Sequence, residues 1–528
     1  MHAANPEVTP VALVARISSA PRFDAQGHFV TDPGRSTIAA EQAESLAQAV
    51  LDDPSLRVGL AIAPVTLDEW ARIASGYLLA EPEGLIEVPA DDAVAASHAS
   101  ALTALRQAAA TGRLELLSVP YADPAVGALA EEHEIVRDLE AHYAYAHSTY
   151  LATLETPPSA GTAVAGSAVP RAALRVLEER GIEFLLADAD ALGLDGPDAL
   201  RGPRAIEESP VRALVLESET AAAIASGDIP TASRILFDLA IAADAPLPVV
   251  TVTDIGPGLP GSVDSLLAVA GLVTRSPWAE LVTPAAAAAF PVRQPLTMPA
   301  SVETTPAAPA GYWDEASESR RYAEALVSAL GAEDPDAQGT ELSSLIAQSA
   351  SWAGPDGRWT LVDRGRAFAS AAERLARSFL DPVSISARDV TLAGPRGEVP
   401  ISIVNGSAKD LDLALRVRAE NIRLTSDAEQ PLTLRPQENF HTVGVDLQSA
   451  LAGTLEVELW AGDVLLASGT SVVRASYLDR LAVVGGVALL LIGLLLYIRK
   501  RVRSADTDTI RTAERTDEVP GSQGGEPQ

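Results

Sequence analysis

The alternation of short apolar runs with alanine-rich stretches between residues 11 and 290 constrains the fold of this chain more than any other feature. Runs of strand length separated by segments of helical length are typical of repeated strand and helix units around a parallel sheet. We therefore predict a (β/α)-barrel-like domain of seven or eight units over residues 1–290. The predicted strands are 11–17, 58–64, 114–120, 162–169, 182–188, 212–218 and 248–254, with an eighth candidate at 279–284; the predicted helices are 38–51, 67–79, 92–110, 128–151 and 171–180.

The pattern of the chain changes after residue 290. Residues 291–380 begin with a stretch rich in Pro, Ala and Thr and continue with helical spacing, which predicts a linker and a helical segment. From 381 to 475, apolar and polar residues alternate with period two between turn signals, which predicts an antiparallel β-sandwich of immunoglobulin-like type. The predicted fold class is therefore α/β plus all-β. The helices expected in the middle segment are 317–330, 341–350 and 364–379.

An uncharged apolar run, LAVVGGVALLLIGLLLYI, occupies residues 481–498. About 20 such residues cross a bilayer core of roughly 30 Å, so a single transmembrane helix is predicted. The tail that follows, residues 499–528, opens with the basic run RKRVR, and the positive-inside rule then places the tail in the cytoplasm and residues 1–480 outside. We expect the tail to be disordered. Because residues 1–10 lack a signal-peptide pattern, we expect the natural chain to start further upstream, with a tail-anchored cytosolic protein as the alternative.

The charge balance limits the partners. The chain has 39 basic and 71 acidic residues, a net charge of -32. Clusters of Lys and Arg supply the affinity for phosphates, so a nucleic-acid partner is excluded. The absence of cysteine removes disulfides, thiolate metal sites and thiol nucleophiles. An alanine-rich chain that uses Arg almost to the exclusion of Lys suggests high-GC coding and an actinobacterial source.

Carboxylates stand where several predicted strands end. The run 114–120 leads into Asp123, and two later runs end at Asp188 and Asp254. Functional side chains of a βα barrel collect at these strand ends, and two carboxylates are what glycoside hydrolysis requires. We therefore name Asp123, Asp188 and Asp254 as candidate catalytic residues. The alternative for each, and for Glu217 at the end of a further strand, is a helix cap or a solvated side chain.

Tyr121, in the turn PYADPAV, and Trp278, in the segment SPW, are the candidate binding residues. No metal site is predicted, because His142 and His147 are five residues apart and do not share a helical face, and no HExxH motif occurs. The segment GPGLPG at 256–261 matches GxGxxG, but its two prolines remove N–H groups that a phosphate cradle needs. We read it as a turn-rich loop and expect no cofactor.

The segments LELLSVPYADPAV, VLEERGIEFLLADADAL and VVTVTD resemble, in order and texture, the barrels of family-fifty-seven glycoside hydrolases and their deacetylase relatives. In those hydrolases a middle strand carries a glutamate nucleophile and a later strand an aspartate acid, and the resemblance places the acid at Asp254. The corresponding middle segment here, GTAVAGSAVP at 161–170, has no carboxylate, and the first strand lacks the family's histidine. A single acid does not support a double displacement, so the resemblance implies a carbohydrate-binding or degenerate relative.

A second resemblance covers almost the whole chain. The turn PYADPAV, the segment SPW, the opening GEVPISIVNGS of the predicted sandwich, the predicted membrane helix and the basic tail are similar to an actinobacterial membrane protein family of unknown function, domain of unknown function 6049. The resemblance implies a role in cell-wall assembly and a membrane protein partner such as a lipid II flippase.

We therefore expect a membrane-anchored envelope protein whose barrel is not catalytic and binds a glycan, a cell-wall component or a protein. Two alternatives stay open: a glycan-active hydrolase or deacetylase, and a structural scaffold for a membrane complex of cell-wall assembly. Clustering of Asp123, Asp188 and Asp254 at one barrel mouth would favour the hydrolase.

Overall fold

The structure is a computed structural model that describes residues 8–31, 33–124, 126, 135–163, 169–192, 202–241, 247–255, 262–296, 308–353, 358–447, 452–476 and 478–510. Contacts divide the chain into two compact units, Met1–Asp381 with Gly462–Val464, and Pro382–Ala461 with Leu465–Gln528.

The first unit contains twelve strands and twelve α-helices among its described residues. The strands are β1 (Thr9–Ile17), β2 (Val58–Ile62), β3 (Tyr77–Glu81), β4 (Gly84–Val88), β5 (Leu114–Leu116), β6 (Gly161–Ala163), β7 (Phe184–Ala187), β8 (Pro203–Ile206), β9 (Arg212–Val215), β10 (Val249–Asp254), β11 (Ala279–Leu281) and β12 (Arg293–Leu296). The helices are α1 (Gly34–Asp52), α2 (Pro64–Ala74), α3 (Ala93–Ala110), α4 (Ile135–Leu154), α5 (Arg171–Glu179), α6 (Ser218–Ala225), α7 (Ile229–Ile241), α8 (Ser262–Arg275), α9 (Pro284–Ala288), α10 (Tyr312–Leu330), α11 (Pro335–Ala347) and α12 (Val362–Leu380).

Seven parallel strands form the barrel. Strand β1 pairs in parallel with β10 on one side and β2 on the other, β2 pairs with β5, and β7 pairs with both β6 and β9. Backbone hydrogen bonds join these two sets: the Ser118 N–H donates to the Gly161 carbonyl at 2.7 Å, and the Glu217 N–H donates to the Val250 carbonyl at 2.8 Å. The circle of strands is therefore β1, β2, β5, β6, β7, β9 and β10, which confirms the predicted mixed α/β fold with a barrel.

The burial of the strands explains why the barrel could be predicted from the sequence. Every residue of β2 and β7 is buried, because helices cover the outside of a parallel barrel and side chains fill its inside. Such strands are read as continuous apolar runs. The eighth candidate strand, 279–284, forms β11, which pairs with the first residues of β1 outside the run of seven.

The helix predicted at 67–79 ends early, at Ala74. Gly76 follows with φ of 88°, in the left-handed region, and an added Cβ there would lie 3.1 Å from the Val88 carbonyl oxygen. A glycine in this conformation ends a helix, and the chain continues into the hairpin of β3 and β4. Parts of the predicted helix 128–151 and of the predicted strand 162–169 lie outside the described residues.

Helices α10, α11 and α12 pack together after the barrel, and a polar cluster joins α10 and α11 to α4. Arg320 of α10 is buried and contacts Asp138 at 3.0 Å, Glu341 at 3.0 Å and Glu324 at 3.2 Å. A buried cation is tolerated only where ionised partners satisfy it. This cluster therefore connects α4 of the barrel to the added helices.

The second unit contains two β-sheets. One has the order β13, β15, β19, β17 and the other β14, β21, β20, β16, β18. On β15 and β16 alternate residues are buried, as expected when one face of a sheet covers a core. The predicted β-sheet domain is present, whereas the finer immunoglobulin-like assignment stays a prediction. The strands are β13 (Val383–Ala387), β14 (Val390–Leu392), β15 (Arg396–Asn405), β16 (Leu411–Glu420), β17 (Arg423–Leu424), β18 (Glu429–Leu434), β19 (Gln437–Asp446), β20 (Ala452–Ala461) and β21 (Val464–Ala475).

Residues 481–498, the predicted membrane span, lie within helix α13 (Leu478–Ile510). Across the described residues, no helix meets both the length and the apolarity that a membrane crossing requires. The transmembrane prediction is therefore not confirmed.

The packing of the barrel can be tested by substitution of Gly161 in β6. An added Cβ would overlap the ring of Phe184, its register partner in β7. We expect Gly161→Ala to lower the free energy of unfolding by about 1 to 3 kcal/mol, because a packed core cannot absorb the extra group without strain. Gly339→Ala in α11 is the matched control. No atom lies within 4 Å of its added Cβ, so it should stabilise by about 0.5 to 1 kcal/mol. Equal melting temperatures for the two variants would contradict this account.

Candidate functional site

An arginine near the end of β1 organises the C-terminal rim of the barrel. Arg16 and Asp254 are register partners in β1 and β10, and their side chains form a bidentate pair: Nε to Oδ1 at 2.5 Å and Nη2 to Oδ2 at 2.9 Å. Two parallel N–H···O bonds fix the orientation of both groups. The side chain of Asp254 is therefore held in one orientation at the barrel mouth.

Asp123 lies at the same rim and is held on several sides. Its Oδ2 accepts a hydrogen bond of 3.0 Å from the Ser18 hydroxyl, just after β1. Its backbone carbonyl accepts from the Ala350 N–H at 3.0 Å, and its own N–H donates to the Pro120 carbonyl at 2.9 Å. The φ of Asp123 is 46°, in the left-handed region that residues with a Cβ rarely adopt. Such a conformation persists only where its surroundings enforce it, and it is frequent at functional sites.

Asp188 completes the set of candidates at this rim, because it follows the last residue of β7. Burial alone would lower the pKa of Arg16, but the charges of Asp254, Asp123 and Asp188 together raise it above the usual value. All three predicted catalytic carboxylates therefore act on one guanidinium.

The surroundings of Asp123 change its pKa. Desolvation raises the pKa of Asp123, although Arg16 and the Ser18 hydroxyl lower it, and the negative charge of Asp254 adds to the rise. A carboxyl group whose pKa is raised keeps its proton to higher pH, which is what a general acid requires.

Glu217 is a helix cap, which was the alternative role for the carboxylates at strand ends. Its carboxylate accepts hydrogen bonds from the backbone N–H groups of Glu219 and Thr220 at the start of α6. Asp123, by contrast, accepts from a side chain 105 residues away in the sequence. Strand-end position alone does not distinguish these two roles.

The two predicted binding residues are not brought together with the aspartates. Tyr121 is fully buried, with its hydroxyl 3.1 Å from Asp68 Oδ2, and it belongs to the core. Trp278 lies beside the beginning of β1, where its carbonyl accepts from the Thr9 N–H, and its ring packs on Phe237 at 5.5 Å. Arg16 is seven residues further along the strand, which is about 23 Å at the usual rise. Trp278 therefore lies at the opposite end of the barrel.

A chain of buried hydrogen bonds supports the segment before Asp123. The Ala122 N–H points to His142 Nδ1 at 3.4 Å, and His142 Nε2 lies 3.1 Å from Gln348 Oε1. Gln348 Nε2 in turn donates to Asp138 Oδ2 at 2.6 Å, and Asp138 is paired with Arg320. This series of hydrogen bonds connects the segment before Asp123 to the ion pairs around Arg320.

Sequence reasoning missed Arg16, Ser18, His142 and Gln348 as parts of the site. The arginine in the otherwise apolar run VALVARI was the one available signal, since charged residues are rarely placed in a barrel strand without a partner. His142 was weighed only as a metal ligand. No group of three or more metal-ligating side chains occurs among the described residues. The segment GPGLPG at 256–261, read from the sequence as a turn-rich loop, lies outside the described residues.

Comparison with known proteins adds two findings. Residues 75–251, about a third of the chain, match the family model described as glycosyl hydrolase family 57. Solved structures share the fold at low identity. The α-amylase AmyC from Thermotoga maritima is 11% identical, covers 70% of this chain and 93% of its own, and has a TM-score of 0.52. A GH57-type branching enzyme from Pyrococcus horikoshii is 10% identical, covers 71% and 89%, and has a TM-score of 0.51. A search of curated proteins found no match.

These findings correct the expected function. The sequence favoured a barrel without catalytic activity, and the match to a glycosyl hydrolase family contradicts that preference and supports the enzymatic alternative. The resemblance to a glycoside hydrolase barrel is confirmed. The resemblance to the actinobacterial membrane family of unknown function is not shown.

Asp123→Asn should stabilise the protein near neutral pH. Because the folded pKa of Asp123 is raised, its contribution to stability is present below about pH 4 and is lost as the pH rises through the folded pKa. Asparagine does not ionise, and it tolerates a positive φ. We expect a gain of about 1 kcal/mol at pH 7 that shrinks towards pH 4, measured by chemical denaturation. Asp238→Asn, exposed on α7, is the control and should show no gain. A loss of stability at pH 7 would contradict the proposed environment of Asp123.

His142 should make the fold sensitive to acid. Burial lowers the pKa of His142 to about 4, although Gln348 and Asp138 oppose the shift. The unfolded chain therefore takes up a proton near pH 6.5 that the folded chain refuses, and stability falls as the pH drops from about 6.5 to 4, by at most about 1.4 kcal/mol per unit. We expect His142→Gln to reduce this slope in denaturation curves. His147→Gln, exposed on the same helix, should keep the slope of the wild type, and equal slopes in all three proteins would exclude this role.

Proposed function

We propose that this protein is a glycan-active hydrolase whose catalytic centre is the cluster of Asp123, Asp188 and Asp254 around Arg16. The observation that carries the proposal is the bidentate pair of Arg16 and Asp254 at the C-terminal rim of the barrel, with Asp123 bonded to Ser18, two residues after Arg16, and Asp188 directly after β7 at the same rim. In βα barrels this rim holds the active site. The family-model match over residues 75–251 supports the same class of reaction.

Asp123 is the proton donor in this proposal. Glycoside hydrolysis requires a carboxylic acid that keeps its proton near the working pH, and desolvation together with the charge of Asp254 raises the pKa of Asp123. Its position, fixed by Ser18 and by the backbone of Ala350, leaves the carboxyl at the barrel mouth. The leaving-group oxygen of a bound glycan would take this proton.

Asp254 supplies negative charge beside that acid. Its carboxyl group is fixed in place by the bidentate contact with Arg16, and a carboxylate at this place would stabilise the positive charge that develops on the sugar ring. Asp188, at the end of β7, adds to this field. Residues 161–170, where the resembled hydrolases carry their nucleophile, have no carboxylate. The proposed site therefore differs from the one that the resemblance implies, because Asp123 is the acid here and Asp254, where the resemblance places the acid, is its charged neighbour.

The substrate in this proposal is a glycan. A cell-wall glycan, membrane anchoring with residues 1–480 outside, and a membrane partner such as a lipid II flippase stay predictions from the sequence. The geometry of the rim supports none of these three predictions and contradicts none of them.

Full-length protein should release reducing ends from one member of a panel of α-glucan, peptidoglycan and arabinogalactan fragments. We expect Asp123→Asn and Asp254→Asn to lower kcat by at least 100-fold, because general acid catalysis alone contributes about 100- to 10,000-fold. Ser18→Ala removes a hydrogen bond that lowers the pKa of Asp123. It should therefore move the alkaline limb of the pH–rate profile to higher pH.

Asp238→Asn is the matched control for these measurements and should keep full activity. Cleavage that survives both Asp123→Asn and Asp254→Asn would refute the assignment of the site. An unchanged alkaline limb in Ser18→Ala would refute Asp123 as the acid.

A further inference from the structure

We propose that Arg364 of α12 is a positioning residue for Asp123, because it joins the two chain segments that contact Asp123. The two segments are residues 18–22, which follow β1, and residues 349–352, which follow α11. The effect on catalysis rests on the proposed function, whereas the placement of Asp123 by Arg364 can be tested without a substrate.

The first segment reaches Asp123 through a side chain. The Ser18 hydroxyl donates to Asp123 Oδ2 at 3.0 Å. Three residues later, the Pro21 carbonyl accepts a hydrogen bond from Nη2 of Arg364. Ser18 is exposed and Pro21 is buried. The segment is therefore anchored at Pro21, and the contact with Arg364 helps to decide where the Ser18 hydroxyl lies.

The second segment reaches Asp123 through the backbone. The Ala350 N–H donates to the Asp123 carbonyl at 3.0 Å, and Ser349 forms an antiparallel bridge with Pro124. These contacts lie on both sides of the left-handed residue Asp123 and help to enforce its φ of 46°. Trp352, two residues after Ala350, is fully buried and anchors this segment in the core.

Arg364 contacts both segments with one side chain. While Nη2 donates to Pro21, the guanidinium carbon lies over the ring of Trp352, 5.9 Å from its centroid. A cation within about 6 Å of an indole face is attracted to it. The next residue, Gly365, permits this close approach, because an added Cβ would lie 2.9 Å from Cδ1 of Trp352. A guanidinium donates at its edge and stacks with its face, so it can hold both segments at once.

Glu69 of α2 fixes the peptide next to the one that Arg364 holds. Its Oε2 accepts from the Arg22 N–H at 2.9 Å, and its side chain is buried. Burial lowers the pKa of Arg364, and the negative charge of Glu69 opposes this shift. Two consecutive peptides are therefore held from two different helices, which restricts the movement of the nearby Ser18 away from Asp123.

The test follows the titration of the Asp123 carboxyl group by carbon-13 NMR of the full-length protein, with its signal identified by its loss in Asp123→Asn. The Ser18 hydrogen bond lowers the pKa of Asp123, so displacement of residues 18–22 should raise the midpoint. We expect Arg364→Gln to raise it by about one pH unit, roughly the effect of one lost hydrogen bond to a charged group. Arg374→Gln, exposed on the same helix, is the control and should leave the midpoint unchanged.

A double variant separates positioning from a direct effect of charge. Ser18→Ala should raise the midpoint as Arg364→Gln does, and the two changes together should raise it no further than Ser18→Ala alone. Shifts that add up in the double variant would show that Arg364 acts independently of Ser18, and would overturn the inference. A midpoint of Arg364→Gln equal to that of the wild type would also overturn it.

Arg364→Lys provides a second variant in case Arg364→Gln does not fold. Lysine keeps the charge and a donor for Pro21 but loses the planar stacking on Trp352. We therefore expect a smaller rise of the midpoint than in Arg364→Gln. If the lysine variant is the only one that folds, an unshifted midpoint would overturn the inference.

In the proposed reaction, Arg364→Gln should lower kcat about tenfold and leave KM within about twofold, because a displaced acid slows proton transfer without changing glycan binding. Wild-type kcat in a variant with a shifted midpoint would refute the catalytic consequence. Absence of glycosidic cleavage by the wild type would overturn the proposed function, and the titration would still decide whether Arg364 positions Asp123.

Discussion

The charge of Arg16 is the constraint on which the rim of this barrel depends. Without a cation, Asp123, Asp188 and Asp254 would repel one another at the barrel mouth, and without carboxylates a partly buried guanidinium would lose hydration with no compensation. The guanidinium and the carboxylates therefore stabilise one another. The register of β1 and β10 places Arg16 opposite Asp254, so the pairing of two strands sets the position of the charge cluster. The site is thus built into the closure of the barrel rather than into its loops alone.

A second arginine repeats this arrangement behind the site. Arg320 is surrounded by Asp138, Glu324 and Glu341, and through Asp138, Gln348 and His142 it reaches the backbone just before Asp123. A catalytic carboxyl has to be held within a fraction of an ångström, and the residues that hold it must themselves be fixed. The helices α10 and α11 therefore help to hold the site, because α10 carries Arg320 and α11 ends at Ala347, directly before Gln348. The left-handed backbone of Asp123 shows that this support overcomes a local conformational cost.

This chain shares the architecture of solved family-57 structures at low sequence identity. The barrel is consistent with the match of residues 75–251 to the family model, whereas the sequence of residues 161–170 contains no carboxylate. Of this segment, Ala163 and Val169 line a small pocket beside Asp123.

The sequence by itself determined the barrel, because strands covered on both faces must be apolar throughout, and it placed the candidate aspartates at strand ends where parallel strands share one rim. It did not identify Arg16, since pairing with Asp254 spans 238 residues and depends on strand register. Nor did it separate Asp123 from the capping Glu217, because both follow strands and differ only in what surrounds them. Tyr121 and Trp278 were named from local motifs, yet one is enclosed in the core and the other lies at the far end of β1. Local pattern decides which elements form, whereas contacts between distant segments decide charge, burial and proton affinity, and these came only from the tertiary structure.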